Sequence, residues 1–168
     1  IISAGSRQVY KGMDVGTGKG RNEDKIEEIS YHLIDILSAG EKYNVAKFQS
    51  DFKRIVQESD TKGKQVIICG GTGLYLQSII QGFGNTLVPE NKALREKLEG
   101  FSETELQELL KQNDLSLDTR KRAIRAIEIE HFKKDNPEVD LASVSEFKFR
   151  VFGLNPEVKV RRDRISKR

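Results

Sequence analysis

The chain has 168 residues, 36% apolar and 33% charged, a balance that fits one soluble globular domain, or one with a small satellite, and excludes a disordered polymer. Its longest apolar runs, such as Val66-Ile67-Ile68-Cys69, fall far short of the roughly 20 residues that cross a bilayer, and no signal segment is read at its start. Twenty-nine Lys and Arg against 26 Asp and Glu give a net charge of +3, too small by itself to announce a nucleic-acid partner.

Ile1-Ile2 running into Ser3-Ala4-Gly5-Ser6 reads as the interior of a strand with no cap or turn before it, which predicts further chain upstream. Residues 11–24, rich in Gly, Lys, Asp and Asn, read as a loop, and 31–37 as a short strand. Asn44 is expected to cap a helix whose apolar residues Val45, Phe48, Phe52, Ile55 and Val56 recur at steps of three and four, with Gly63 ending it. Residues 65–69 read as a buried strand. That makes the single cysteine, Cys69, a small buried hydrophobe of a reducing compartment. Gly70-Gly71-Thr72-Gly73 then opens a helix over about 74–81. Helix, turn, strand, glycine loop and helix in this order predict an α/β layer with a parallel sheet.

Beyond Gly82-Phe83-Gly84-Asn85 the pattern is helical only. Asn91 and Ser102 are the expected N-caps, and Ser102 with Glu105 makes a capping box ahead of Leu106, Leu109 and Leu110. Asp118 is expected to cap a third helix with Ala123, Ile124 and Ile127 as its buried stripe. Residues 147–154 read as a strand returning to the sheet, and Pro156 begins a basic helix. The expected organisation is an α/β core at 1–82 and 147–168 with a mostly helical insertion at 83–146. Basic residues gather at 120–134 (Arg120, Lys121, Arg122, Arg125, Lys133, Lys134) and at 159–168 (Lys159, Arg161, Arg162, Arg164, Lys167, Arg168). A polyanion-facing side is therefore expected in the last third, solvated helix faces being the alternative.

Three segments carry chemical potential. Gly70-Gly71-Thr72-Gly73-Leu74-Tyr75 follows a strand and opens a helix, so its N–H groups suit an anion or ligand, unless it is simply a tight turn. It is not a Walker A loop, because no Lys-Ser or Lys-Thr follows the glycines at the required spacing. Met13-Asp14-Val15-Gly16-Thr17-Gly18-Lys19 combines a hydroxyl and an ammonium suited to phosphate with a carboxylate, Asp14, able to hold a metal-bound water. A solvated loop is the alternative there. His32, in an apolar run, reads as a hydrogen-bonded core residue. His131 lies on a distant helix, so no zinc site is expected, and no nucleophile elbow supports a Ser-His-Asp triad.

Taken in order, Ile1-Ile2-Ser3-Ala4 with Ser6-Arg7-Gln8-Val9-Tyr10-Lys11-Gly12-Met13-Asp14-Val15-Gly16-Thr17-Gly18-Lys19, then His32-Leu33-Ile34-Asp35, then Gly70 to Tyr75, then Arg122-Ala123-Ile124-Arg125-Ala126-Ile127-Glu128 closely resemble the tRNA dimethylallyltransferase family. The resemblance spans essentially the whole chain. It implies a P-loop-type α/β core of the nucleotide- and ATP-binding kind, with a helical insertion that grips a tRNA anticodon stem-loop. It also implies transfer of a dimethylallyl group from dimethylallyl diphosphate to N6 of the adenosine beside the anticodon, with Mg²⁺, in a cytoplasmic monomer. Position by position, Ser6, Arg7 and Gln8 would contact the adenine, and Thr72 would line the channel where base and donor meet. Thr17 and Lys19 would hold the diphosphate, and Arg95, Lys121, Arg122 and Arg125 the tRNA.

The sequence departs from the family in three ways. The family's Gly-rich P-loop would precede Ile1 and is not in the sequence. Gly5 stands where the family places the Asp that serves as general base, and Val158 where it usually has Arg. Loss of a general base costs roughly 10²–10⁴ in rate, so the chain as written is expected to be inactive and to bind the donor weakly. Two other readings stay open: a tRNA-binding homologue that has lost its chemistry, and an adenylate prenyltransferase. The basic insertion argues against the latter, since a mononucleotide needs no clamp.

Overall fold

Two short parallel strands organise the first part of the chain: β1 (Ile2–Ser3) pairs with β2 (Ile68–Cys69), Ile2 opposite Ile68 and Ser3 opposite Cys69. They belong to a computed structural model that describes residues 1–19, 28–113, 115–116, 119–141, 145 and 147–167. The chain divides into two compact units, Ile1–Gln81 with Ser145–Arg168, and Gly82–Val144.

In the first unit, α1 (Val45–Asp60) begins where the Asn44 side chain accepts from the Lys47 N–H, and the chain turns away at Gly63 with φ 63°. Its three-and-four spacing presents Phe48, Phe52 and Ile55 to a core shared with Ile2, Ala4, Leu33, Tyr75 and Ile79. α2 (Gly73–Gln81) supplies the last of these. Phe48 is fully buried and stacks on Tyr75 with ring centroids 4.4 Å apart; burying such a ring contributes about 2–3 kcal/mol. The architecture is α/β. Gly70 is demanded by contact: a Cβ there would lie 2.5 Å from the Ala4 carbonyl carbon, because the exits of β1 and β2 run side by side.

Three sequence expectations are corrected in this unit. Residues 31–37 form no strand but two isolated parallel bridges, Ile2 with His32 and Tyr10 with Leu37. Between them Leu33 and Asp35 adopt φ of 63° and 54°, left-handed values that interrupt a ladder. Residues 65–69 are strand only at Ile68–Cys69, and Cys69 is exposed. Side chains alternate across a strand: Val66 and Ile68 pack on the core, whereas Ile67 and Cys69 face the other way, Ile67 being 63% exposed. Residues 147–154 form no strand either. Phe147 and Phe149 pack against the core, Phe147 edge-on to Phe52 at 5.3 Å, but Val151, Phe152 and Leu154 are exposed. α6 (Val158–Ser166) follows Pro156 and buries no residue.

The second unit is helical. After a 3₁₀ turn at Gly84–Leu87 come α3 (Lys92–Glu99), α4 (Glu103–Gln112) and α5 (Arg120–Asp135). Asn91 caps α3 by accepting from the Leu94 N–H at 3.0 Å, and Ser102 with Glu105 forms a reciprocal capping box on α4. Leu98, Leu106, Leu110, Ala123, Ile124 and Ile127 form the core. Asp118, the expected cap of α5, lies outside the described residues. Thr119 holds the cap position and makes no side-chain cap bond. Arg120 instead closes the end of α3, its Nη2 donating to the last-turn carbonyls of Leu98 and Glu99 at 3.0 and 2.7 Å and to that of Phe101, just beyond the helix, at 2.8 Å. A Cβ on Gly84 would collide with the Leu141 carbonyl. No helix among the described residues is long and apolar enough to cross a membrane.

Candidate active site

Ligands of parallel α/β sheets gather at the carboxyl ends of the strands, and there the two motif loops meet. The Ala4 N–H donates to the Cys69 carbonyl at 2.9 Å, and the Thr72 N–H to the Ala4 carbonyl at 3.1 Å. The Ser6 N–H donates to Thr72 Oγ1 at 2.9 Å. Thr72 is thus joined to the loop after β1 by main chain and side chain together. Arg7 is exposed beside it.

Gln8 is gripped at both ends of its amide. Oε1 accepts from Ser3 Oγ at 2.5 Å, and Nε2 donates to the Thr17 carbonyl at 2.9 Å. Ser3 Oγ also accepts from the Gly5 N–H at 3.1 Å. A Cβ on residue 5 would lie 2.9 Å from Gln8 Cδ and Oε1, so the missing side chain of Gly5 is what lets this amide lie where it does.

Lys19 is not a loose loop cation. Its side chain is 4% exposed, and its ammonium donates to the Tyr10 carbonyl at 2.6 Å, Asp14 Oδ1 at 3.0 Å and Asp35 Oδ1 at 2.5 Å. An ammonium has three N–H donors, and all three are committed. Burial alone would lower its pKa, but the hydrogen bonds to Asp35 and Asp14 outweigh it and hold the group above the ordinary lysine value. The expected diphosphate contact from Lys19 has no donor left in this arrangement. The Thr17 hydroxyl turns toward the carbonyls of Met13 at 2.7 Å and Asp14 at 3.2 Å.

Magnesium favours one or two carboxylates beside substrate phosphates. Asp14, the candidate offered by the sequence, directs an oxygen at Lys19 instead, and no group of three or more His, Cys, Asp or Glu side chains gathers among the described residues. His32 lines a cleft of about 350 Å³ with Ile1, Glu58, Lys62 and Ile67, at the amino side of the strands and away from these loops. Burial is the main cause holding its imidazole below the usual histidine range.

In the helical unit the basic candidates separate into two groups. Arg95 and Arg125 converge on Glu128, whose carboxylate is 1% exposed. Glu128 accepts from the Asn91 N–H at 2.6 Å, from Arg95 Nε and Nη2 at 2.9 and 2.7 Å, and from Arg125 Nη1. Arg95 also pairs with Glu90, and Arg125 Nη2 donates to the carbonyls of Asn85 and Val88. Lys121 and Arg122 lie on the exposed side of α5. Sequence reasoning did not single out Glu128, although it follows Arg125 by three residues, a spacing that pairs side chains on a helix. It gave Asp35 a loop hydrogen-bonding role but not its partner Lys19, 16 residues away, and did not name Ser3, whose hydroxyl serves Gln8 and Gly5 within five residues.

Relatives of known name share this plan. Over 178 aligned residues, all of this chain is 47% identical to tRNA dimethylallyltransferase 1 of Azobacteroides pseudotrichonymphae, and over 176 residues 40% identical to tRNA dimethylallyltransferase 1 of Parabacteroides distasonis. The chain spans 57% of the length of each. A solved structure of a eukaryotic dimethylallyltransferase acting on tRNA matches 86% of this chain and 39% of its own, with a TM-score of 0.66 and 20% identity, which shows a common fold. Since the family model described as IPP transferase takes in residues 8–168, from Gln8 through both motif loops to the basic helix, the chain belongs to the IPP transferase family.

Proposed function

We propose that this chain belongs to a tRNA dimethylallyltransferase, which moves the dimethylallyl group of dimethylallyl diphosphate onto N6 of the adenosine beside the anticodon. The strongest support is the 47% identity, over the whole chain, to a relative of that name. The reaction needs a base withdrawn from its stack, a route for the N6 proton, and donors toward the departing diphosphate. On this reading the loop Ser6-Arg7-Gln8 faces the adenine and Thr72 lines the channel beside it. The N–H groups of the Gly70–Gly73 turn and the edge of the Thr17 loop lie toward the donor. Lys121 and Arg122, on the exposed side of α5, hold the stem-loop, while Arg95 and Arg125 serve through the scaffold they build with Glu128.

A second reading is favoured by one observation. Gln8 fills the space beside Gly5 in which the family's Asp side chain would start, so the chain is also consistent with a homologue that binds tRNA and has lost transfer. The test is a single-turnover assay of the full-length protein with a cognate stem-loop and dimethylallyl diphosphate, compared with Gly5→Asp. If Gly5 is the lesion, the Asp variant transfers roughly 10²-fold faster, with Gln8 displaced and RNA affinity little changed. Stem-loop binding without transfer in both proteins favours the degenerate reading. Equal, fast transfer in both removes residue 5 from proton transfer, and the absence of both binding and transfer ends the proposal.

A further inference from the structure

The cluster of Lys19, Asp14 and Asp35 is not used by the chemistry just described, yet its partners come from the segments that hold Gln8. Lys19 closes the loop that contains Thr17, whose carbonyl accepts from Gln8 Nε2. Asp35 lies in the left-handed turn, and its N–H donates to the Gln8 carbonyl at 3.0 Å. The next two N–H groups, of Ile36 and Leu37, donate to the Val9 carbonyl at 2.8 and 2.9 Å. One segment therefore holds Gln8 by its side chain and the other by its main chain, and the bond from Lys19 to Asp35 fastens the two together. Three acceptors arranged around one nitrogen suit a tetrahedral ammonium, which a planar guanidinium does not reproduce.

We propose that Lys19 is a positioning residue: its buried ammonium locks the 13–19 loop to the 35–37 turn and so fixes the amide of Gln8 at the carboxyl end of β1, without touching the diphosphate. The proposal rests on the reading above only in giving Gln8 a base to face. The locking itself is measurable without RNA.

The side-chain amide of Gln8, assigned by its loss in Gln8→Ala, is followed by ¹⁵N NMR in the chain as it stands. Lys19→Met and Asp35→Asn are each expected to move this signal to the position and exchange rate of a solvated glutamine. The methyl signals of the helical unit stay in place. Asp14→Asn, whose carboxylate is 70% exposed, has a smaller effect. If Lys19→Met fails to fold, Asp35→Asn keeps the ammonium and decides alone: an unmoved Gln8 signal overturns the proposal. Inorganic pyrophosphate supplies the second readout. Its affinity is expected to change less than twofold in Lys19→Met and in Asp35→Asn. A tenfold loss in the first with a gain in the second would mark Lys19 as an anion ligand restrained by its carboxylates, and would also overturn the proposal. Where pyrophosphate does not bind, the amide signal decides. Failure of the proposed function appears separately, as absence of stem-loop binding by the unaltered protein.

Discussion

In the first unit the buried charge is an ammonium, Lys19, shared among loops; in the second it is a carboxylate, Glu128, standing on a helix between two guanidiniums. Lys19 acts where the backbone ladder stops, joining Tyr10 to the left-handed turn at Leu33 and Asp35 where no strand forms. Glu128 acts where helices already pack, tying the start of α3 through the Asn91 N–H to the buried face of α5. The partners of Lys19 reach well into water, Asp35 being 42% exposed, whereas those of Glu128 are more enclosed. Exposure of the partners, more than the number of bonds, sets how costly each charge is to disturb.

Substitutions at the two charges are therefore expected to differ in cost. Glu128→Ala strands two guanidiniums and the Asn91 N–H, and is expected to cost about 3 kcal/mol, the range for removing one member of a buried ion pair. Urea unfolding followed by far-UV dichroism measures it, and a loss below about 1 kcal/mol would show that water relieves the arginines and that the contrast is false. Lys19→Met is expected to cost less, about 2 kcal/mol, since the Tyr10 carbonyl loses its partner while the two carboxylates regain solvent. Equal costs for the two variants would mean that partner exposure is not the governing difference.

The smallest effect is the pH dependence, and its sign differs between the units. Burial alone would raise the pKa of Glu128, but hydrogen bonds from Arg95, Arg125 and the Asn91 N–H hold it below the usual glutamate value. Its contribution is therefore present above about pH 4.5 and is lost as pH falls through the lower folded-state value. The stability gap between the unaltered chain and Glu128→Gln is expected to narrow from pH 7 toward pH 3. Lys19, held above its ordinary value, contributes fully below about pH 10.5 and loses that contribution as pH climbs through its folded-state pKa. The gap to Lys19→Met is accordingly expected to narrow in strong alkali. A gap to Glu128→Gln that stays constant across the acid range would contradict the assignment of that charge.

The helix starts were legible because their signals are local: Asn44, Asn91 and Ser102 each sit one residue before the helix they cap, with the N–H they serve three residues on. The segment at 31–37 misled because its apolar residues suit a strand while φ at Leu33 and Asp35 is set by bonds to Gln8 and Lys19. Cys69 misled because an apolar run shows how greasy a strand is but not which of its faces is covered. At the site, Thr72 and Ser6 could be named from motifs 66 residues apart, but their hydrogen bond could not. Lys19, in a run of glycines and polar residues, carried every local mark of a solvated side chain; its burial follows from partners at positions 10, 14 and 35. The charge of Arg95 is visible in the sequence, whereas its pairing with Glu128, 33 residues away, is not.

The Glu128 assembly also bears on how the helical unit would respond to salt. A polyelectrolyte partner gains affinity by shedding condensed counterions, and log K falls with log[salt] in proportion to the phosphates that protein cations newly neutralise. Arg95 and Arg125 already face Glu128, and Arg120 faces Glu99 and Glu103, so these three displace few ions when a nucleic acid arrives. On the proposed function, the slope for an anticodon stem-loop is expected to be set by residues such as Lys121 on the outer side of α5, and to fall well short of what the count of arginines and lysines along 92–134 would suggest.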